Sequence, residues 1–304
     1  MQQESADFRV TSIEGNPQRL DGGAMFGNAP RAIWEKWCPA DDQGRILLAC
    51  RALLVEIQGF RILCETGIGA FFEPKLAQRF GVQKPDQHQL LENIQSLGLK
   101  EEDIDCVILS HLHFDHAGGL LPTYREIENG QDRLLFPRAK YLVGEQAWQR
   151  ALSPHPRDRA SFIPGLTDKL EASGRLHLVS GPMAPEGVLP PEVHPCLEFI
   201  YSDGHTPGQM HSLFTGRTRR IFYAGDLIPG RHWVHLPITM GYDRFPELLI
   251  DEKRKLYQRA VAEQWLVFLT HDDRYCACEI EETEGAQKRF QPVHLREDLL
   301  GSPL

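Results

Sequence analysis

An α/β fold is what the sequence predicts, and two observations predict it. Short apolar runs rich in β-branched residues alternate with segments whose apolar residues recur every three or four positions. Four of the short runs also stop at histidine or aspartate, and in α/β folds the carboxyl ends of strands converge on the crevice where ligands bind. A chain of 304 residues with 41% hydrophobic side chains can bury a sizeable core. It is read as one domain over residues 1–304, with an N-terminal extension at 1–44 and a loop-rich insert at 153–195.

The elements follow in order. Arg45–Glu56 (RILLACRALLVE), the turn Gln58–Gly59 and Phe60–Cys64 (FRILC) predict a hairpin. It runs into Glu65–Thr66–Gly67–Ile68–Gly69, whose glycines permit a sharp turn. Helical spacing covers Glu73–Phe80 and Gln87–Leu97, with Gly98 placed as a stop. Cys106–Leu109 (CVIL) reads as a strand. Eight prolines between Pro154 and Pro195 make residues 153–195 loop-rich, with a helix only around Leu166–Ala172. Short apolar runs return at Leu197–Tyr201, Arg220–Tyr223 and Trp265–Leu269, and a helix is expected over Pro246–Glu263 before the last of them.

Composition narrows the partners. A formal charge of −9 argues against a nucleic-acid backbone or an anionic membrane surface, both of which would repel the chain at long range, and favours a small neutral or polar substrate. The start, MQQESADFRV, has no basic segment followed by an apolar one, and no stretch approaches the roughly 20 apolar residues of a membrane span. A cytoplasmic protein is therefore expected. The seven cysteines are odd in number and form no C-x-x-C pair, so no disulfides are expected; Cys276 and Cys278, after a polar turn, read as surface thiols.

The chemistry gathers behind the strands. CVIL is followed by Ser110–His111–Leu112–His113–Phe114–Asp115–His116, LEFIYS by Asp203–Gly204–His205, RIFYAG by Asp226 and LVFLT by His271. In an extended segment His111 and His113 point to one side and can grip one ion, which His205 would complete. Asp115, His116 and His271 can reach a second ion. Two divalent ions about 3.5–4 Å apart call for a bridging carboxylate to offset their repulsion, and Asp226 is the candidate. Such a nitrogen-rich set without thiolates suits zinc, with manganese, cobalt or iron as alternatives.

These residues resemble the signature of the metallo-β-lactamase fold superfamily. SHLHFDH matches its histidine motif, Gly204–Gly208 (GHTPG) its third histidine segment, Ala224–Asp226 (AGD) its bridging aspartate and Thr270–Asp272 (THD) its last histidine. Glu65–Gly69 (ETGIG) resembles the D-T-G turn of its first hairpin, with Glu65 in the usual aspartate position. The segment Asp21–Gly27, with Pro30 and Trp34, is similar to the N-terminal part of the quorum-quenching lactonase and methyl-parathion-hydrolase-like branch. The resemblance implies a four-layer αβ/βα sandwich, a dinuclear centre at one edge and a homodimer. One departure stands out: where acyl-homoserine lactonases carry a tyrosine three residues after the bridging aspartate, this chain has Pro229.

The expected activity is hydrolysis of a small carbonyl or phosphoryl substrate, a lactone or ester first, by a hydroxide bridging two divalent metals. A catalytic zinc lowers the pKa of bound water to about 7, and Asp115 would orient the hydroxide and carry its proton to the leaving group. Phosphotriester or β-lactam hydrolysis is the alternative. A di-iron redox protein fits less well, because the flavo-di-iron branch carries glutamate where this chain has His113. A purely structural metal site fits poorly too, being normally a closed four-ligand cage. For the substrate pocket the candidates are Met25, Phe26, Trp34, Trp37 and the loop Ile228–Tyr242, with Tyr242, His232 or His235 as the donor to the substrate carbonyl.

Overall fold

The computed structural model describes residues 8–285 and 288–304. Its strands are β1 (Phe8–Glu14), β2 (Gln18–Asp21), β3 (Arg45–Leu48), β4 (Arg51–Ile57), β5 (Phe60–Cys64), β6 (Cys106–Leu109), β7 (Lys140–Gly144) and β8 (Leu176–Val179), then β9 (Leu197–Ser202), β10 (Gln209–Thr215), β11 (Arg220–Tyr223), β12 (Trp265–Phe268), β13 (Ala277–Glu282), β14 (Phe290–Arg296) and β15 (Ser302–Pro303). They form a seven-stranded sheet ordered β15-β1-β4-β5-β6-β7-β8, a six-stranded sheet ordered β14-β13-β12-β11-β10-β9, and a small β2-β3 ribbon.

Strand alternation explains the layers. Along β4, Leu53, Val55 and Ile57 point into the space between the sheets, where they meet Phe199, Met210, Phe214, Ile221 and Phe268 of the other sheet. Ala52 and Leu54 point the other way and pack under helices with Leu90, Ile94, Trp148 and Leu170. The outer face of the six-stranded sheet buries Phe222, Val267 and Cys278 against Leu249, Leu256 and Tyr257 of the helix Pro246–Ala262. Because both faces of each sheet are covered, the central strands read as nearly continuous apolar runs instead of alternating ones. The result is the four-layer αβ/βα sandwich.

Several elements match the sequence pattern closely. The β4–β5 hairpin turns at Gln58 and Gly59, both with positive φ (49° and 86°), the geometry whose twist suits a two-residue hairpin. Helices span Pro74–Arg79, Gln89–Ser96 and Leu166–Ala172. Other elements differ. The run Arg45–Glu56 is two strands, because the chain leaves the β2-β3 ribbon and enters the large sheet at Ala49–Cys50. The loop-rich insert contributes β8, a four-residue strand at the sheet edge that buries only Val179 fully. Cys276 and Cys278 are buried, not surface thiols: Cys276, just before β13, packs between the two sheets, and Cys278, on β13, packs beneath the helix Pro246–Ala262.

The turn after β6 is compact for a steric reason. Thr66 N and Oγ1 both donate to His116 O, and Gly119 N donates to Gly67 O. A Cβ on Gly119 would lie 2.0 Å from Thr66 O, closer than any real contact. Gly119→Ala should therefore force the turn apart and cost about 2–4 kcal/mol of stability in urea unfolding, against a near-neutral effect of Ala at an unhindered glycine.

A second consequence concerns His211 on β10. It is fully buried, its Nε2 lies 2.8 Å from Ser202 Oγ, and burial pulls its pKa down to about 3. Between that value and the ordinary 6.5 the unfolded chain binds a proton that the folded chain refuses, so the stability present above pH 6.5 is lost as pH falls toward 3. Lowering the pH from 7 to 5 should remove about 2 kcal/mol through this residue. Urea titrations at the two pH values, with His211→Asn showing a slope shallower by one proton, check it.

Candidate metal centre

The strand ends meet at one edge of the sandwich. His111 and His113 follow β6 in extended backbone, Asp115 and His116 lie on the short helix Phe114–Ala117, His205 precedes β10, Asp226 sits in the single turn Gly225–Leu227 after β11, and His271 follows β12. Nitrogens of His111, His113 and His205 lie within 4.8 Å of one another and could hold a metal ion, as could Asp115, His116 and His271. Asp226 stands between the two groups. Its Oδ2 is 3.2 Å from His205 Nε2, while its Oδ1 is 3.2 Å from both His116 Nε2 and His271 Nε2.

Outer partners decide which nitrogen faces inward. Ser110 Oγ donates to Glu65 Oε1, so the same oxygen accepts from His111 Nδ1–H at 2.9 Å. His116 Nδ1–H donates to Glu65 Oε2 (2.6 Å), His205 Nδ1–H to Asp243 Oδ1 (2.9 Å) and His271 Nδ1–H to Ala49 O (2.6 Å). In each of these four rings Nδ1 is committed outward and Nε2 points to the centre, the arrangement by which outer acceptors orient metal-binding imidazoles. His113 is reversed. Its Nδ1 lies 3.0 Å from His111 Nε2 and 3.3 Å from His205 Nε2, and its buried Nε2 has no partner.

Charge tells the same story. Burial, reinforced by the neighbouring imidazoles, holds His111 and His113 well below the usual histidine range, which leaves both neutral with lone pairs available. Burial also opposes charge on Asp226, yet His116, His205 and His271 outweigh it and hold the carboxyl well below its usual range. Reciprocally, those three imidazoles are raised against the pull of burial, His116 chiefly by Glu65 and Asp226. The centre thus demands positive charge, and Asp226 Oδ1, buried with no properly directed hydrogen bond, is an orphaned acceptor in its middle. Divalent cations fit that demand.

Several supporting residues escaped the sequence reading. Glu65, at φ 61°, ties Ser110, His116 and the Tyr223 hydroxyl (2.8 Å) together, its extra methylene reaching across the turn. Gln18 of β2, fully buried, donates to Asp115 Oδ2 at 2.8 Å. Asp243 holds His205 and also accepts from Met240 N. Pro229 has a backbone task, since its carbonyl accepts from His271 N at 2.8 Å. Glu65 falls in the ETGIG turn and Pro229 in the tyrosine position, but no local motif marks Gln18 or Asp243, and only proximity in space shows what any of the four holds.

Beside the centre opens a cavity of about 290 Å³ lined by Leu20, Met25, Phe80, Phe114, Met240 and Tyr242, among others, with His113, Asp115, His205, Asp226 and His271 at its floor. Met25 and Tyr242 were expected there. Phe26 and Trp34 are not part of the lining: both are buried in an aromatic stack, Phe26 lying 5.7 Å from Trp34 and 4.5 Å from Trp233, because the N-terminal segment needs its own small core. His232 is also elsewhere, stacked on Trp37 at 5.7 Å with its pKa pulled down to about 4 by burial and Arg231. His235 lines a separate groove with Arg254 and Arg289. Of the three candidate donors only Tyr242 faces the cavity, its hydroxyl pushed up to about 12 by burial with Asp115 and Asp21 adding to it, so it is a neutral donor.

Buried imidazoles, four of the five with the second nitrogen held from outside, in a sandwich of this topology, define a metal-dependent hydrolase. The chain belongs to the metallo-beta-lactamase superfamily, whose family model matches residues 45–271. It is similar to the N-acyl homoserine lactonase AiiA of Bacillus thuringiensis subsp. kurstaki, 24% identical over 234 residues that cover 72% of this chain and 79% of that protein. Among solved structures, a probable metal-dependent hydrolase from Staphylococcus aureus superposes with a TM-score of 0.80 at 24% identity, covering 98% of this chain and all (100%) of that one. AidC, a dizinc quorum-quenching lactonase, superposes at 0.71 with 18% identity, covering 96% and 95%.

The Tyr223 hydroxyl is where two sheets and the centre join: it donates toward Glu65 Oε2 and accepts from Thr270 Oγ1 at 3.0 Å. Tyr223→Phe leaves both partners buried and short of a bond, and should lower stability by about 1–3 kcal/mol in chemical unfolding.

Proposed function

We propose that this chain holds two divalent ions, zinc first, and hydrolyses a lactone or ester. The observation that carries the reading is the split carboxylate of Asp226, one oxygen toward His205 and the other toward His116 and His271. His111, His113 and His205 would hold one ion, and Asp115, His116 and His271 the other, with Asp226 between them. Bound there, the pair supplies a water of lowered pKa and polarises the substrate carbonyl.

The chain's own groups do the rest. Asp115, steadied by Gln18 through Oδ2, is placed to orient the attacking water and to pass its proton to the leaving oxygen. Tyr242, from the loop after Met240, donates to the substrate carbonyl in place of the tyrosine that Pro229 replaces. Leu20, Met25, Phe80 and Phe114 exclude water from the apolar part of the substrate. The dizinc lactonase relative supports the choice of metal and of substrate class. A homodimer remains part of this reading, as do the cytoplasm, which the seven free thiols support, and a small-molecule partner. Among the described residues no helix is long and apolar enough to cross a membrane.

Metal analysis of the purified protein should return about two ions per chain, and a chelator should abolish turnover across a panel of lactones, aryl esters, phosphotriesters and a cephalosporin. Asp115→Asn should keep the metal largely in place and lower kcat by about 10²–10⁴-fold. Chelator-resistant turnover, or negligible metal in the wild type, ends the proposal.

A further inference from the structure

We propose that the arginine wall of the cavity, Arg157 foremost with Arg150 and Arg244 behind it, recognises an anionic group on the substrate, a carboxylate or a phosphate. This rests on the hydrolase reading above for the reaction, but not for the binding of the anion.

Two guanidinium groups flank one carboxylate, and a third arginine, Arg157, shares the cavity lining with it. Asp158, buried and lining the cavity, accepts through Oδ2 from Arg150 Nε at 3.0 Å and Nη2 at 2.6 Å, and Arg244 Nε stands 3.9 Å from the same oxygen. Asp158 thus carries one negative charge against Arg150 and Arg244 together, and Arg157 adds a further positive charge. Arg157 lines the cavity and is exposed; among the described residues its side chain donates from Nη2 to Gly241 O at 2.8 Å. Arg244, with its side chain 11% exposed, has a buried Nη1 without a hydrogen-bond partner among the described residues.

In a chain of charge −9 a local excess of two guanidiniums beside a substrate cavity calls for an explanation. A buried donor left unpaired costs free energy, and a planar guanidinium is matched by the two oxygens of a carboxylate or phosphate. Asp158 Oδ1 is also buried without a partner, which leaves an acceptor for an N–H or O–H of the ligand next to its anion. Away from the metal-facing floor, Leu20, Met25, Phe80 and Phe114 give the lining an apolar side. A substrate with an apolar chain or ring at one end and an anion at the other satisfies both parts.

The test compares zinc-loaded wild type with Arg157→Gln on two esters that share a leaving group, 4-nitrophenyl hydrogen glutarate and 4-nitrophenyl butyrate. The wild type should favour the anionic ester about tenfold in kcat/KM, and the substitution should lower turnover of that ester, mainly through KM, about tenfold more than it lowers turnover of the neutral one. Equal handling of the two esters by the wild type, or equal loss on both in the variant, overturns the proposal. Calorimetry reads the wall without turnover, using 4-phenylbutyrate, phenethylphosphonate and neutral 4-phenylbutanamide. Anion binding weakened about tenfold in Arg157→Gln supports the site, and whichever anion binds tighter assigns the carboxylate or phosphate source. Anion binding equal in both proteins overturns it even where esters are hydrolysed. Anion binding that depends on Arg157, with no ester, lactone or phosphotriester turned over, overturns the hydrolase reading and upholds the anion site.

Discussion

Asp226 is the constraint around which the structure is organised. Only 6% exposed and held ionised, it would be intolerable in an apolar sandwich without opposite charge close by. His116, His205 and His271 gather on its two oxygens from three different strand ends, each fixed from behind by an acceptor on yet another element. Because the imidazoles cannot retreat, positive charge must come to the centre, as protons or as metal ions. A site that needs cations in order to be neutral is a site prepared to bind them.

That preparation is distributed through the fold. Glu65 comes from the end of β5, Ser110 from the end of β6, Tyr223 from β11 and Thr270 from the end of β12, so one hydrogen-bonded cluster staples the two sheets at the edge where the histidines emerge. Arg51, buried at the start of β4, donates to Asp272 O and pairs with Glu14, which holds the turn carrying His271 against the first sheet. Beneath the cavity loop, Lys253 is fully buried and donates to Ile238 O at 3.0 Å, and burial pulls its pKa down to about 7. Such polar contacts are modest in net stability but decisive for geometry, since each leaves a costly orphan when its partner moves.

The N-terminal segment has a larger part than an appendage would. β1 pairs along its whole length with β4, β2 carries Gln18 to Asp115, and Leu20 and Met25 line the cavity. The aromatic stack of Phe26, Trp34 and Trp233 sits beside Met25 in one small core and is not part of the cavity lining. Polarity around the cavity is therefore uneven: apolar on the side built by this segment, and charged where Arg157 and Asp158 line it. This division, more than the metal-facing residues, is what distinguishes one substrate from another at such a centre.

By itself the sequence determined the α/β class, the hairpin at Gln58–Gly59, the helix at Leu166–Ala172 and the seven residues that converge on the centre. Those features are local: turn chemistry, apolar spacing and ligand types placed directly behind strands are written in adjacent positions. What only the tertiary structure decided is non-local. The edge strand β8 draws its pairing from β7, the burial of Cys276 comes from the opposing sheet and that of Cys278 from the helix Pro246–Ala262, and Gln18 and Asp243 act on residues 97 and 38 positions away. The same holds for the pocket candidates, where Phe26, Trp34, His232, His235 and Tyr242 look alike as polar or aromatic loop residues. Which of them faces the cavity depends on how two loops pack against each other, and no spacing along the chain encodes that.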